Sequence, residues 1–246
     1  MSARHVFVLL GVSSMLGACG ALIGIQDIGV DGVATKPHDG GIDADAGVQP
    51  VEMIAEGGVP DVYIPPPQML EAGTASRRVF LTSMLWRGGS LGGVSGATTL
   101  CNSAASSTKP PLGGSWVPWI SDQSMNAPER LSWPGPYVTV NNVLVAQHKT
   151  DLTNPTATLA YPINIQENGV QLQDDKPFVW TGTHGDGQGS ANCGNWTNMG
   201  PGQIGTLGAF NQTTNPKWTD LGGQPFTLYG AYDCNNLAHL YCFEQM

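Results

Sequence analysis

From Arg78 onward, short runs of β-branched and aromatic residues are broken repeatedly by glycine, proline, asparagine and serine. Runs of this length and composition read as strands. Arg78-Val79-Phe80-Leu81-Thr82-Ser83 predicts a first strand. Gly88-Gly89 and Gly92-Gly93 interrupt the chain, and Ser95 is placed to cap a helix over 96–107 that carries Cys101. Trp116 to Ile120 predicts a strand that Pro118 confines to an edge or bulge. Tyr137–Val140 and Val143–Ala146, split by Asn141-Asn142, predict a hairpin. Phe178 to Thr183 predicts a central strand, and Leu240 to Glu244 a final one. The stretches between are irregular, and no internal repeat is evident. The pattern predicts one α+β domain over 76–246, long enough for a real core.

Before Ser76 the pattern changes. Residues 1–18 have a basic Arg4 and an apolar run, Val6–Leu16, of signal-peptide length. That run is too short for a membrane-spanning helix, which needs about 20 apolar residues. Leu16-Gly17-Ala18-Cys19 resembles a lipobox, so Cys19 is the expected lipid-attachment site. Several acyl chains there would anchor the protein firmly to a membrane. Gly20 in place of Asp makes the outer membrane, and so the cell surface, the expected location.

Residues 19–75 show no sustained helical or alternating period. Nine acids and one lysine, Lys36, fall between residues 20 and 75, among many Gly, Ala and Pro. Such a segment buries too little apolar surface to offset its ordering entropy, so it reads as a disordered acidic tether. Asp43-Ala44-Asp45 lacks the further oxygen ligands and closing Glu of a calcium loop. Pro65-Pro66-Pro67 stiffens the distal end.

Charge follows the same division. The chain has a net charge of −9, but from Ser76 onward eight Lys/Arg face ten Asp/Glu. The domain is nearly neutral and has no basic stripe, which argues against nucleic acid as a partner.

The remaining cysteines are Cys101, Cys193, Cys234 and Cys242. An even set in an exported chain reads as two disulfides, and four cysteines allow three connectivities. No Cys-x-x-Cys and no zinc-ligand spacing occurs.

Several pieces occur together: Leu91-Gly92-Gly93, Cys101, Val179-Trp180-Thr181-Gly182, Asn192-Cys193-Gly194-Asn195-Trp196-Thr197 and Leu240-Tyr241-Cys242-Phe243-Glu244-Gln245. Over roughly 77–246 this combination resembles a bacterial surface-lipoprotein domain family of unknown function, related in fold to C-type lectin-like and endostatin domains. The resemblance implies a C-type lectin-like fold with Cys101 paired to Cys242 and Cys193 to Cys234. It also implies that Trp180 is a core residue.

Lectins of that type hold Ca²⁺ through an EPN or QPD triplet and a following WND triplet. Trp218-Thr219-Asp220 is similar to WND, but no EPN or QPD precedes Cys193, and Gln224-Pro225-Phe226 is misplaced. The expectation is no metal site and no cofactor, with Ca²⁺ as the one ion the resemblance raises. The glycine-rich loop 182–190 carries His184 and Asp186, which with Trp218 and Asp220 are the candidate ligand-binding residues. Its ends are held by core segments, and its middle is expected to move. Trp116, Trp119 and Trp133 read first as core and second as sugar platforms.

No catalytic residue is expected. His148, His184 and His239 are scattered, and no GxSxG elbow accompanies Ser190. Together the leader, tether and bridged domain imply a lipid-anchored surface protein that recognises a glycan or an extracellular protein without catalysis. The alternatives are a structural envelope component, or an enzyme on a fold of the formylglycine-generating type.

Overall fold

The computed structural model describes residues 66–222 and 232–246. The leader, Cys19, most of the tether and Gln224-Pro225-Phe226 lie outside the described residues. The described chain is a mixed α+β fold dominated by short strands.

A five-stranded sheet organises it. Its strands are β1 (Arg77–Leu81), β3 (Ser115–Pro118), β4 (Tyr137–Thr139), β5 (Leu144–Ala146) and β11 (Tyr241–Gln245), in the order β3-β11-β1-β4-β5. β1 runs antiparallel to β11, with Phe80 opposite Cys242, and parallel to β4. The two ends of the domain therefore lie side by side at the sheet centre. Pro118 sits on the edge strand β3, opposite Cys242, as its missing N–H requires. At the other edge, Leu144 N–H donates to the Gln68 carbonyl, and Leu70 N–H to the Asn142 carbonyl. The end of the predicted tether thus joins the domain several residues before Ser76 and covers the β5 edge.

Three small ladders complete the fold. β2 (Trp86–Arg87) pairs with β10 (Leu237–Ala238), β6 (Phe178–Trp180) with β8 (Leu207–Ala209), and β7 (Ile204–Gly205) with β9 (Tyr232–Asp233). β6 is not central to a sheet: β8 is its one ladder partner among the described residues. It also stops at Trp180: Thr181 N–H and Gly182 N–H both donate to the Thr206 carbonyl, and Gly182 turns the chain at φ 54°. Irregular segments bury it in place of flanking strands.

The helix α1 spans Gly93–Ser107 and begins before Ser95. Its N-cap is Gly92, in the left-handed region at φ 74°, a conformation glycine adopts without a Cβ penalty. Ala97, Cys101 and Ala105, four apart, form its buried stripe. Small residues there let α1 lie close on β3. Asn102 completes that contact by acting as a surrogate strand: Trp116 N–H donates to its Oδ1 at 3.0 Å, and its Nδ2 donates to the Trp116 carbonyl at 2.8 Å. The exposed edge of β3 is thereby closed. Asn102→Ala is expected to cost about 1–3 kcal/mol, because it orphans part-buried backbone groups. Urea unfolding checks this, and a loss below about 0.5 kcal/mol, the usual range for a neutral surface change, would count against it.

Two disulfides staple the fold, Cys101–Cys242 and Cys193–Cys234. This is the pairing the resemblance implies. Around them lie two aromatic cores. One holds Trp119, Trp218, Tyr137, Tyr241 and Phe243, and the other Phe80, Trp116, Trp180 and Trp196 with all four bridged cysteines. Gly88, in the turn after β2, and Gly205, in β7, press on Trp180 and Cys193: a Cβ on either would lie under 3 Å from the Cys193 sulfur and from the indole.

Candidate functional site

Loops 121–127, 182–190 and 215–221 meet above the Trp119–Trp218 core and form a shelf. Four fully buried hydroxyl residues tie them together: Ser121, Thr181, Thr183 and Thr219. Ser121 Oγ lies 2.8 Å from Thr183 Oγ1 and accepts from Ala127 N–H at 2.9 Å. Thr183 Oγ1 donates to the Thr181 carbonyl, and Thr181 Oγ1 donates to the Thr219 carbonyl at 2.6 Å. Trp119 Nε1 donates to Thr219 Oγ1 at 2.8 Å. Satisfied networks of this kind rigidify what they join.

The glycine-rich loop is braced through its middle as well as at its ends. His184 N–H donates to the Gln188 carbonyl, Gly187 N–H to the His184 carbonyl, and Ser190 N–H to the Gly182 carbonyl. Gly185 and Gly187 are buried, and a Cβ on them would strike Pro216 and Thr153 respectively. The glycines serve close packing rather than mobility.

His184 and Asp220 meet on this shelf. His184 Nδ1 lies 2.7 Å from Asp220 Oδ2, with the imidazole half exposed. Asp220 Oδ1 accepts from Gly222 N–H, so both carboxylate oxygens are engaged. Asp186 does not join the pair within bonding distance; it accepts from Gln188 N–H across its own turn. Trp218 is fully buried and packs on Trp119 and Tyr241, so its indole faces the core. Trp116 and Trp119 are likewise core, while Trp133 is half-buried under the Arg77 guanidinium. Among the described residues, no three His, Cys, Asp or Glu side chains come together as a metal group.

The shelf continues into the Asp122 turn. Asp122 accepts from Ser124 N–H, Ser124 Oγ and Met125 N–H and pairs with Arg130 at 2.8 Å. Burial opposes its ionisation, but these bonds outweigh it and hold the carboxyl below its ordinary pKa. Next to it, Cys193–Trp196 is a four-residue turn, every residue of which has positive φ. That costs roughly 1–2 kcal/mol for each side chain lacking glycine's freedom. Asn192 Oδ1 accepting Asn195 N–H, Trp196 Nε1 donating to the Ser121 carbonyl, and the Cys193–Cys234 bridge hold it there.

His239 lies away from the shelf and is 3% exposed. Its Nδ1 donates to the Thr82 carbonyl at 2.7 Å. Burial lowers its pKa, opposed in part by the Thr82 carbonyl and the nearby Asp174 and Glu167 carboxylates. As pH falls, the unfolded chain takes up this proton before the folded one. The contribution is fully present above the unfolded value of about 6.5 and is lost as pH falls below it. Urea midpoints compared between pH 7.5 and 5.5 are expected to drop more in the wild type than in His239→Gln. Equal drops would assign the acid sensitivity elsewhere.

The sequence did not nominate a second concavity. It lies between the 164–172 hairpin and the residues after β8, with a volume of about 290 Å³. Ile165 bridges Gln171 across the hairpin, and Leu172 N–H donates to the Asn164 carbonyl. Tyr161, Asn164, Gln171, Gln173 and Asp174 are among its lining residues. One signal was available: Asn164, Gln166, Asn168, Gln171 and Gln173 crowd five amides into ten residues of an irregular stretch. Compared with known proteins, the chain matches no protein-family model and shows no significant similarity to any curated protein.

Proposed function

We propose that the domain is a non-catalytic recognition module of C-type lectin-like architecture, presented at a bacterial outer membrane by a lipid on Cys19 and a tether that ends where Gln68 joins the domain. One observation carries the reading, the nesting of the two bridges. Cys101–Cys242 clasps α1 to the last strand, and Cys193–Cys234 closes the segment carrying Trp218 to Asp220. Antiparallel pairing of β1 with β11 supports the same architecture. The braced shelf supports recognition, since a preorganised surface loses little entropy on binding. The partner is a glycan or an extracellular protein, reached without nucleic-acid contacts. Calcium at Asp220 would first have to displace His184.

The test applies the mature protein to glycan and matrix-protein arrays, with a reduced and alkylated sample as the inactive control. Binding above that control to at least one ligand class is expected. Equal signals from the two samples would remove the reading. Mass analysis of the N-terminal peptide tests the lipid on Cys19 separately.

A further inference from the structure

We infer that Gln68–Leu70 is a releasable strap, which zips the end of the tether onto the β5 edge and opens ahead of the rest of the domain. Its bonds are few and lie at the surface. Leu144 N–H donates to the Gln68 carbonyl at 2.8 Å, Leu70 N–H to the Asn142 carbonyl at 3.3 Å, and Asn142 Nδ2 to the Leu70 carbonyl at 3.2 Å. Side chains add little: Gln68 is exposed, Met69 is 60% exposed, and Leu70 is half-buried. An element held by exposed backbone bonds with little apolar burial belongs to the low-stability end of a structure. Pro66 and Pro67 have no N–H to donate, so the ladder cannot grow past Gln68. Beyond Leu70, residues 71–75 are exposed and carry a turn bond of their own, from Thr74 N–H to the Glu71 carbonyl.

Release stops at β1. That strand pairs on both sides, with β11 and with β4, and Arg78 Nε donates to Glu244 Oε2 at 3.0 Å. The Cys101–Cys242 bridge ties β11 in turn to α1. Opening therefore frees residues 68–76, up to about 30 Å of extended chain, without loosening the core. It also bares Leu144 N–H and the Asn142 carbonyl on an edge of the central sheet. The closed strap keeps that edge from pairing with other extended chains. A pull on the tether draws on this length first; only the source of the pull rests on the proposed anchor.

Native-state amide exchange of the full-length protein tests the strap. Its three bonds, each worth about fivefold, give an expected protection of about a hundredfold at the Leu144 amide. The Thr82 and Trp119 amides, bonded to the Leu240 and Tyr241 carbonyls, are expected to exceed about a thousandfold, the scale of global unfolding. Leu70→Pro deletes one strap bond and is expected to lower Leu144 protection by about fivefold. Met69 and Val143 face each other at a non-hydrogen-bonded position, where paired side chains lie closest. An oxidised bridge from Met69→Cys with Val143→Cys is therefore expected to raise Leu144 protection at least about tenfold, toward that of Thr82. Leu144 protection equal to that of Thr82 in the wild type, or unprotected exchange at Leu144, overturns the inference. So does a Leu144 amide that neither variant changes.

Discussion

Replacing both members of the outer bridge, as in Cys101→Ala with Cys242→Ala, is expected to cost about 5 kcal/mol. The figure comes from the chain-entropy account of a loop of this length. The bridge joins residues 141 apart, so its loss frees most of the domain in the unfolded state. Replacing the inner pair, 41 residues apart, removes about 4 kcal/mol on the same account. The inner pair should fall short of that. Its Cys193 sits at φ 54° in a turn that relaxes once the tie is cut. Non-reducing urea unfolding of the two double variants gives the order, with the outer loss the larger. An inner loss that equals or exceeds the outer would mean that loop entropy does not govern these bridges. A typical domain has only about 5–15 kcal/mol in all, so the outer variant is expected to be marginal at 37 °C.

Strand positions were readable in the chain because β formers cluster and glycine, proline and asparagine mark their ends. Val79-Phe80-Leu81 and Tyr241-Cys242-Phe243 are buried strands, and Asn142 turns the hairpin at φ 63°. Partnering was less readable. Phe178-Val179-Trp180 has the apolar content of a central strand, but β8 on one side and a single bridge to His239, with loops, cover it. Local composition reports burial without naming what covers the residue. The α1 start was misread for a related reason. Ser95 is a good capping side chain, but two glycines before it provide the positive φ that turns the chain.

The site was legible only in part. His184 and Asp220 meet across 36 residues because the buried hydroxyls bring their loops together. Those serines and threonines look like ordinary loop residues in the sequence. Trp218 carried the lectin-like signal, but its indole fills the core and only its neighbour Asp220 reaches the shelf. The glycines of 182–190 suggested motion, whereas Gly185 and Gly187 mark close approach to Pro216 and Thr153. Glycine in a sequence does not distinguish a need for freedom from a need for space.

That distinction gives the second large effect, at Gly208. Its φ lies outside the left-handed region, so an alanine there would meet no backbone strain of that kind. The obstacle is space. A Cβ would lie 2.0 Å from the Trp218 carbonyl oxygen and 2.8 Å from Thr219 Cα, both backbone atoms that no rotamer can move. The 216–221 segment crosses β8 at this point: Ala209 N–H donates to the Lys217 carbonyl and Leu221 N–H to the Leu207 carbonyl. Pushing it outward breaks the Tyr241 hydroxyl bond to the Trp218 carbonyl and separates Trp218 from Trp119, whose centroids lie 5.0 Å apart. Gly208→Ala is therefore expected to cost at least about 3 kcal/mol, the upper end for overpacking, with loss of the near-UV dichroism of the buried indoles. Gly202→Ala is the control, since a Cβ there meets nothing within 4 Å although φ is 78°. It is expected to cost about 1–2 kcal/mol from backbone strain alone. If the two variants unfold at the same urea concentration, the crossing of β8 by the Trp218 segment is not as close as the structure has it. The shelf would then lack the support that holds Asp220 against His184.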